Sequence, residues 1–446
     1  MQQSQWSNKL GFILASAGSA IGLGVIWKLP YVTGTSGGGA FLLLFFLFSF
    51  FIGFPLLLGE FLIGKSTQKG AIGAYKTIAP EGKWHYIGYL GIFTNFLLLS
   101  FYSVIGGWII HYCFIAIKEF FVSSDINYVS YFGEMVSNAP VVFLCQTIFL
   151  GITVYVVSKG IQGGIEKASK FLMPVLFIVF LILIVRSVTL DNAMEGVKFF
   201  LYPSFDKITS ESILYAMGQA FFSLSLGVSV MITYSSYLSK RENIVTPAVS
   251  VVVMNLLISI LAGLAIFPAV FSFGFSPEEG PGLLFIVLPN VFNEMMFGQV
   301  FFFLFIFLFL FATLTSAFSM LEVLVASLSN GDETKRKKWS ILSGVGVFVL
   351  GIPSVLSFSS LSEFTPFGRT FFDNADYIVS NILMPTGALL VSIFVAHRME
   401  KTVLKSEFIT ASKWSKVFFT VWYLLIKYVI PAVIILVFMD TMGIFG

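Results

Sequence analysis

Two short strings rich in glycine and serine interrupt stretches that are otherwise apolar enough for helix. They are Gly18-Ser19-Ala20-Ile21-Gly22-Leu23-Gly24 near the amino terminus and Ser223-Leu224-Ser225-Leu226-Gly227-Val228-Ser229 at mid-chain. Glycine costs a helix interior about 1 kcal/mol relative to alanine, and a serine hydroxyl competes locally for backbone groups. Both strings are therefore candidate helix breaks, and a break inside an apolar span frees peptide N–H and C=O groups to hold an ion or a charged solute. The alternative keeps both helices intact, with Gly18 and Gly22 forming a small-xxx-small contact. Catalysis has no comparable constellation: His85, His111 and His397 are scattered without metal spacing, and there is no nucleophile triad or phosphate loop.

The elements that must position these groups are membrane helices. Of 446 residues 57% are hydrophobic and 11% charged, against about 25% charged in a soluble domain. Apolar blocks long enough to cross roughly 30 Å of hydrocarbon are expected near 10–35, 40–64, 85–117, 139–157, 163–188, 212–238, 244–273, 297–328, 339–357, 374–397 and 415–440. Lipid offers no partner to a free amide, so these eleven spans must be helical. Lys65, Lys69, Lys76, Lys83, Lys159, Lys167, Lys240, Arg241, Lys335 to Lys338, Arg398, Lys401, Lys405 and Lys413 follow the even spans, whereas the opposite loops carry Asp125, Glu134, Asp191, Glu195, Glu278, Glu279, Glu363 and Asp373. The positive-inside rule then places the amino terminus in the cytoplasm and the carboxyl terminus outside. The net charge of +3 belongs mostly to the cytoplasmic loops and gives no support to a nucleic-acid partner.

The chain is expected to form one membrane domain, with residues 1–190 as a first five-helix set, 210–398 as a second, inverted set and 415–440 as an extra helix. An odd number of spans per set inverts the second copy, which puts the two candidate breaks at corresponding positions, in spans 1 and 6. Gly164 and Pro174 bracket nine residues of span 5, whose cytoplasmic end could unwind there and admit water, or simply kink. Residues 276–295 are expected to fold back as an extracellular lid. Cys113 and Cys145 read as buried packing rather than a disulfide, and the first span, too long for a cleavable signal, serves for targeting.

The strings GSAIGLG with Trp27-Lys28-Leu29-Pro30, GGGAF at Gly37 to Phe41, PLLLGEFLIGK at Pro55 to Lys65, GQAFFSLSLG at Gly218 to Gly227, AGLAIFP at Ala262 to Pro268 and LTSAFSMLE at Leu314 to Glu322 resemble the neurotransmitter:sodium symporter family, bacterial amino-acid branch. The resemblance implies an all-α integral membrane protein with the five-plus-five inverted-repeat fold, broken helices 1 and 6, and an eleventh helix. It implies one sodium ion on the carbonyls of Gly18, Ile21 and Ala312 with the hydroxyls of Thr315 and Ser316. A second sodium would use Ala20, Ser223, Asn255 and the substrate carboxylate. There the chain departs from the family pattern, because Val25 stands where an asparagine is common. Glu60 matches a glutamate beside this second site.

By the same resemblance the substrate carboxylate meets the amides near Gly22 to Gly24 and the Tyr102 hydroxyl, and the amino group meets carbonyls near Ala20, Phe222 and Ser225, with Ser19 alongside. Gly22 replaces the aspartate of monoamine carriers, which implies a substrate that brings its own carboxylate. Leu98, Phe222, Val228, Ala317 and Met320 would form an uncharged side-chain pocket. Lys28 and Asp376 match the outer ion pair, and Phe222 and Tyr102 cover the substrate. On the cytoplasmic side Trp6 and Lys9 fit the family's opening segment. The expected basic gate residue is Gln3, and its acidic partner aligns with Asn330, near Asp332. The resulting expectation is sodium-coupled uptake of hydrophobic L-amino acids by alternating access, with sodium, the amino acid and membrane lipid as partners and no obligatory protein partner. The alternatives are proton coupling through Glu60 or Glu322, or a non-transporting receptor or channel.

Overall fold

The computed structural model describes residues 5–121, 126–277, 280–409 and 415–441. Gln3, Asp125, Glu278, Glu279 and Lys413 lie outside them. Nine continuous helices among the described residues are long and apolar enough to cross a membrane, and the bent pair Lys9–Ala20 and Gly24–Thr35 makes a tenth. The expected span over 212–238 is present as two helices, Ser210–Ser223 and Val230–Ser236, each short of a full crossing. Its halves are called 6a and 6b, and those of the bent pair 1a and 1b.

The break in span 1 follows from its glycines. Span 1a ends at Ala20, Ile21 leaves helical geometry at φ −95° and ψ 71°, and 1b resumes at Gly24 with its axis turned by 47°. In span 6 the interruption is enforced by left-handed backbone at Ser225 (φ 53°), Gly227 (φ 78°) and Ser229 (φ 61°). Two of these are serines, for which such geometry is strained, so surrounding contacts must hold it.

Four of the five π-helical turns among the described residues end two residues before a proline: Gly24–Lys28 before Pro30, Ser49–Gly53 before Pro55, Ile378–Leu383 before Pro385 and Leu425–Val429 before Pro431. Proline has no N–H and its ring collides with the carbonyl four residues back, and a widened turn relieves both problems without ending the span. The fifth, Ile161–Glu166, contains Gly164. Span 5 is therefore wound rather than opened at its amino-terminal end, and Pro174 sits inside the continuous helix Lys167–Val188.

Span 3 (His85–Phe121) and span 8 (Gly298–Ser329) run along each other at the centre, and 1a packs against span 8, span 5 (Ile161–Val188) and span 7 (Val245–Ser272). Span 11 (Lys416–Met439) lies outside this group, tied to span 2 (Gly39–Thr67) where the Trp422 indole donates to the Pro55 carbonyl at 3.1 Å. Exposed side chains such as Phe50, Phe51, Leu144 and Phe171 form the outer surface that hydrocarbon would cover. Cys113 and Cys145 are buried and unbridged.

On the outer side the connection between spans 7 and 8 turns inward through the helix Val287–Glu294. It drives Phe285 among Trp27, Trp108 and Tyr112, whose hydroxyl donates to the Phe285 carbonyl at 2.6 Å.

Candidate functional site

The two breaks meet around a small, nearly closed cavity of about 20 Å3, room for about one water. Ser19, Ala20, Gly22, Leu23 and Gly24 line it from span 1, Leu98 and Tyr102 from span 3, and Phe222, Ser225, Val228 and Val230 from span 6. Ser316 and Met320 complete it from span 8, and Met384 from span 10 (Phe371–Arg398). Two expected pocket residues are placed elsewhere. Ser223 turns its hydroxyl to Asn255 Oδ1 at 3.4 Å, and Ala317 is fully buried off the cavity wall.

At the start of 1b the Leu23 N–H donates to the Tyr102 hydroxyl at 3.4 Å, and that hydroxyl donates to the Thr313 carbonyl at 3.3 Å. A phenol O–H and the Leu23 amide thus converge on one spot at the start of 1b, an arrangement that favours an anionic oxygen. Gly22 makes the convergence possible: a Cβ there would lie 2.2 Å from Ser316 Oγ and 2.8 Å from the Tyr102 hydroxyl.

Below this spot four of the five residues expected for one sodium, Gly18, Ala312, Thr315 and Ser316, bring oxygens together. Thr315 Oγ1 lies 2.9 Å from both the Gly18 and the Ala312 carbonyls, and Ser316 Oγ is 3.2 Å from the Gly18 carbonyl and 2.9 Å from that of Ser19. Such a set of carbonyl and hydroxyl oxygens suits a hard alkali cation, and the hydroxyls bridge the carbonyls by hydrogen bonds. The residues of the second set also meet: Asn255 Nδ2 donates to the Ala20 carbonyl at 3.3 Å and to the Ser223 carbonyl at 3.1 Å. Val25 is fully buried and brings no oxygen.

Buried polar groups brace the strained segment of span 6. Glu60 Oε1 accepts from the Gly227 N–H at 2.7 Å, and Ser225 Oγ donates to the Ser19 carbonyl at 3.2 Å. Asn95 Nδ2 donates to the Gly91 carbonyl at 2.7 Å and to the Val228 carbonyl. Gln219 Nε2 donates to the Gly24 carbonyl and so joins 6a to 1b. Neither Asn95 nor Gln219 was singled out from sequence, although an amide inside an apolar span is itself a signal of function.

Above the cavity the Lys28 ammonium lies 3.3 Å from Asp376 and 3.3 Å from the Ser380 hydroxyl, 5.0 Å above the centre of the Phe222 ring. Phe222 separates the cavity from an open vestibule of about 860 Å3, which it also lines. The outer pair is closed and the vestibule above it is open.

The opposite side of the bundle, at Trp6, is built from residues largely missed in sequence. Trp6 Nε1 donates to the Tyr234 carbonyl at 2.9 Å, and its ring packs edge-on to Tyr234 at 5.3 Å. Beside it the buried Glu322 accepts from the Tyr237 hydroxyl at 2.6 Å and from Arg336 in a two-pronged ion pair. Asn330 instead ends span 8 in a left-handed turn. Asp332 caps the next helix, where the Thr334 hydroxyl and Lys335 hold its carboxyl down at about 2. Glu166, in the π-turn of span 5, accepts from the Ser7 N–H at 2.9 Å and from Lys170 at 2.5 Å, latching the start of the chain to span 5. Arg336 lay hidden in a run of four basic residues, and nothing local distinguished it from its solvated neighbours.

The profile of the Sodium:neurotransmitter symporter family matches residues 3–131 and 119–445. An uncharacterized sodium-dependent transporter of Bacillus subtilis, YhdH, is 53% identical over 441 residues, 99% of this chain and 98% of that protein. An uncharacterized sodium-dependent transporter of Haemophilus influenzae is 37% identical over 454 residues, again 99% and 98%. Among solved structures, MhsT in complex with L-phenylalanine superimposes with a TM-score of 0.91 at 39% identity, covering 98% of this chain and 100% of that one.

Proposed function

Because the chain belongs to the sodium:neurotransmitter symporter family, a family of membrane transporters and not enzymes, we propose that it couples inward sodium movement to uptake of hydrophobic L-amino acids, aliphatic or aromatic, across the cell membrane. The observation that carries this reading is the convergence of the Tyr102 hydroxyl and the Leu23 N–H at the mouth of 1b, directly above the oxygens of Thr315 and Ser316. A substrate carboxylate bound there satisfies both amide and phenol. The uncharged walls, Leu98, Val228 and Met320, take its side chain. MhsT, similar over nearly the whole chain, holds L-phenylalanine, which supports the same substrate class.

One sodium is assigned to Gly18, Ile21, Ala312, Thr315 and Ser316. The set Ala20, Ser223 and Asn255 lacks a side-chain oxygen at Val25, so a second ion there depends on the substrate's carboxylate. Isolated charges in a dry site are costly, and cation and carboxylate bound together offset each other. One sodium crossing 100 mV supplies about 2.3 kcal/mol, roughly a fifty-fold gradient. The amino terminus is placed in the cytoplasm and the carboxyl terminus outside, on the distribution of lysine and arginine. Residues 1–190 and 210–398 are the two inverted repeats, with 415–440 added.

In the working cycle Lys28–Asp376 closes the outside, Trp6 with Tyr237–Glu322–Arg336 closes the inside, and the Gly164–Pro174 stretch loosens when the inside opens. Purified protein in vesicles tests the reading: labelled leucine, phenylalanine and tryptophan should accumulate under an inward sodium gradient and fail to do so with choline in place of sodium. Accumulation that survives choline at fixed pH points instead to proton coupling. Binding without accumulation points to a receptor.

A further inference from the structure

The cavity wall has one contributor from outside spans 1, 3, 6 and 8, and it comes from the helix that carries the outer gate. Met384 lines the cavity, whereas Asp376, Ser380 and Pro385 of the same helix line the vestibule above. Asp376, Ser380 and Met384 follow at four-residue intervals, and Ser380 Oγ donates to Asp376 at 2.9 Å while also accepting from Lys28. Met384 closes the π-helical turn Ile378–Leu383 and precedes Pro385, the place in span 10 where backbone hydrogen bonding is weakest.

Span 10 reaches the cavity because two glycines let its backbone touch the break in span 6. A Cβ on Gly227 would lie 2.3 Å from the Met384 carbonyl, and one on Gly387 would lie 1.9 Å from the Gly227 carbonyl. Val228, the residue after Gly227, has a short side chain, and it and Met384 both line the cavity. A thioether is flexible, fills irregular space and makes favourable contacts with aromatic rings.

We infer that Met384 is a specificity-determining residue: it forms the far wall of the side-chain pocket, sets the largest side chain accepted and, through its helix, ties that size to closure of the Lys28–Asp376 pair. This rests on the substrate class proposed above. On it, a side chain that overfills the pocket pushes span 10 at its weakest turn and holds the outer gate apart, so it binds without being carried.

The test measures uptake of labelled alanine, leucine, phenylalanine and tryptophan in vesicles for the parent protein and for Met384→Ala, Met384→Leu and Met384→Phe. Met384→Phe should lower tryptophan uptake at least about tenfold relative to alanine, the scale on which an apolar pocket discriminates by size. Met384→Ala should shift the ratio in the opposite direction, and Met384→Leu should restore the parent ratio. Because the readout is a ratio between substrates, lowered expression or stability leaves it unmoved, and the leucine variant keeps the test open if the others fold poorly. A tryptophan-to-alanine ratio unchanged across the variants overturns the role of Met384 alone. A parent protein that carries none of the four amino acids overturns the substrate class, and this inference with it.

Discussion

Gly22 is the residue on which the site's geometry turns. Its missing side chain is replaced by two hydroxyls, those of Ser316 and Tyr102, either of which a Cβ would displace. Gly22→Ala is expected to abolish amino-acid binding while leaving the protein folded, as judged by an unchanged elution profile in detergent together with loss of substrate-dependent thermal stabilisation. Tyr102 matters through one hydroxyl. A hydrogen bond to a charged group contributes about 1.5–3 kcal/mol, so Tyr102→Phe should weaken amino-acid affinity roughly ten- to a hundred-fold and sodium affinity far less. Ser316→Ala should do the reverse, raising the sodium concentration for half-maximal uptake at fixed substrate. Unchanged binding curves in both variants would refute the assignment of the two sites.

Among elements, the broken span 6 and its cytoplasmic neighbours carry the conformational argument. The segment 224–229 holds three left-handed residues, two of them serines, and persists because Glu60 and Asn95 satisfy its exposed peptide groups and the Ser225 hydroxyl ties it to the Ser19 carbonyl of span 1. The Glu322–Arg336 pair sits below it with side chains 0% and 5% exposed. Removing one partner of a buried pair leaves an uncompensated charge at a cost of about 3–5 kcal/mol, whereas replacing both is often near neutral. Arg336→Ala should therefore lower the thermal unfolding midpoint in detergent well below the parent's, and the double variant Glu322→Gln with Arg336→Met should recover much of the loss. Strictly additive losses would remove the pair from the inner closure.

For the molecule as a whole, the Lys28–Asp376 pair is closed above a small cavity, the vestibule beyond it is open, and the opposite side, cytoplasmic in the proposed orientation, is sealed by Trp6, Glu322 and the Glu166 latch. Opening inward requires the start of the chain to leave span 5. Glu166→Gln removes the charge that gathers Ser7 and Lys170 and should favour the inward-open form, seen as faster alkylation of a cysteine introduced at Ser16 from the cytoplasmic side. Sodium without amino acid should slow that alkylation in the parent protein, because the cation set joins 1a to span 8.

Much of this was already written in the chain. Apolar length dictated helices, since lipid leaves no other partner for a peptide group. Glycine and serine clusters located both interruptions, because their cost to a helix is local and intrinsic. What escaped were the contacts whose meaning depends on a distant partner. Met384 enters the cavity only because Gly227 and Gly387 let two backbones touch. Arg336 is set apart from its basic neighbours by Glu322, fourteen positions away in sequence, and Ala317, which the family resemblance assigned to the pocket, is buried and absent from the cavity lining. Periodicity and composition are properties of neighbours along the chain, whereas a binding wall or a gate is made by residues that only packing brings together.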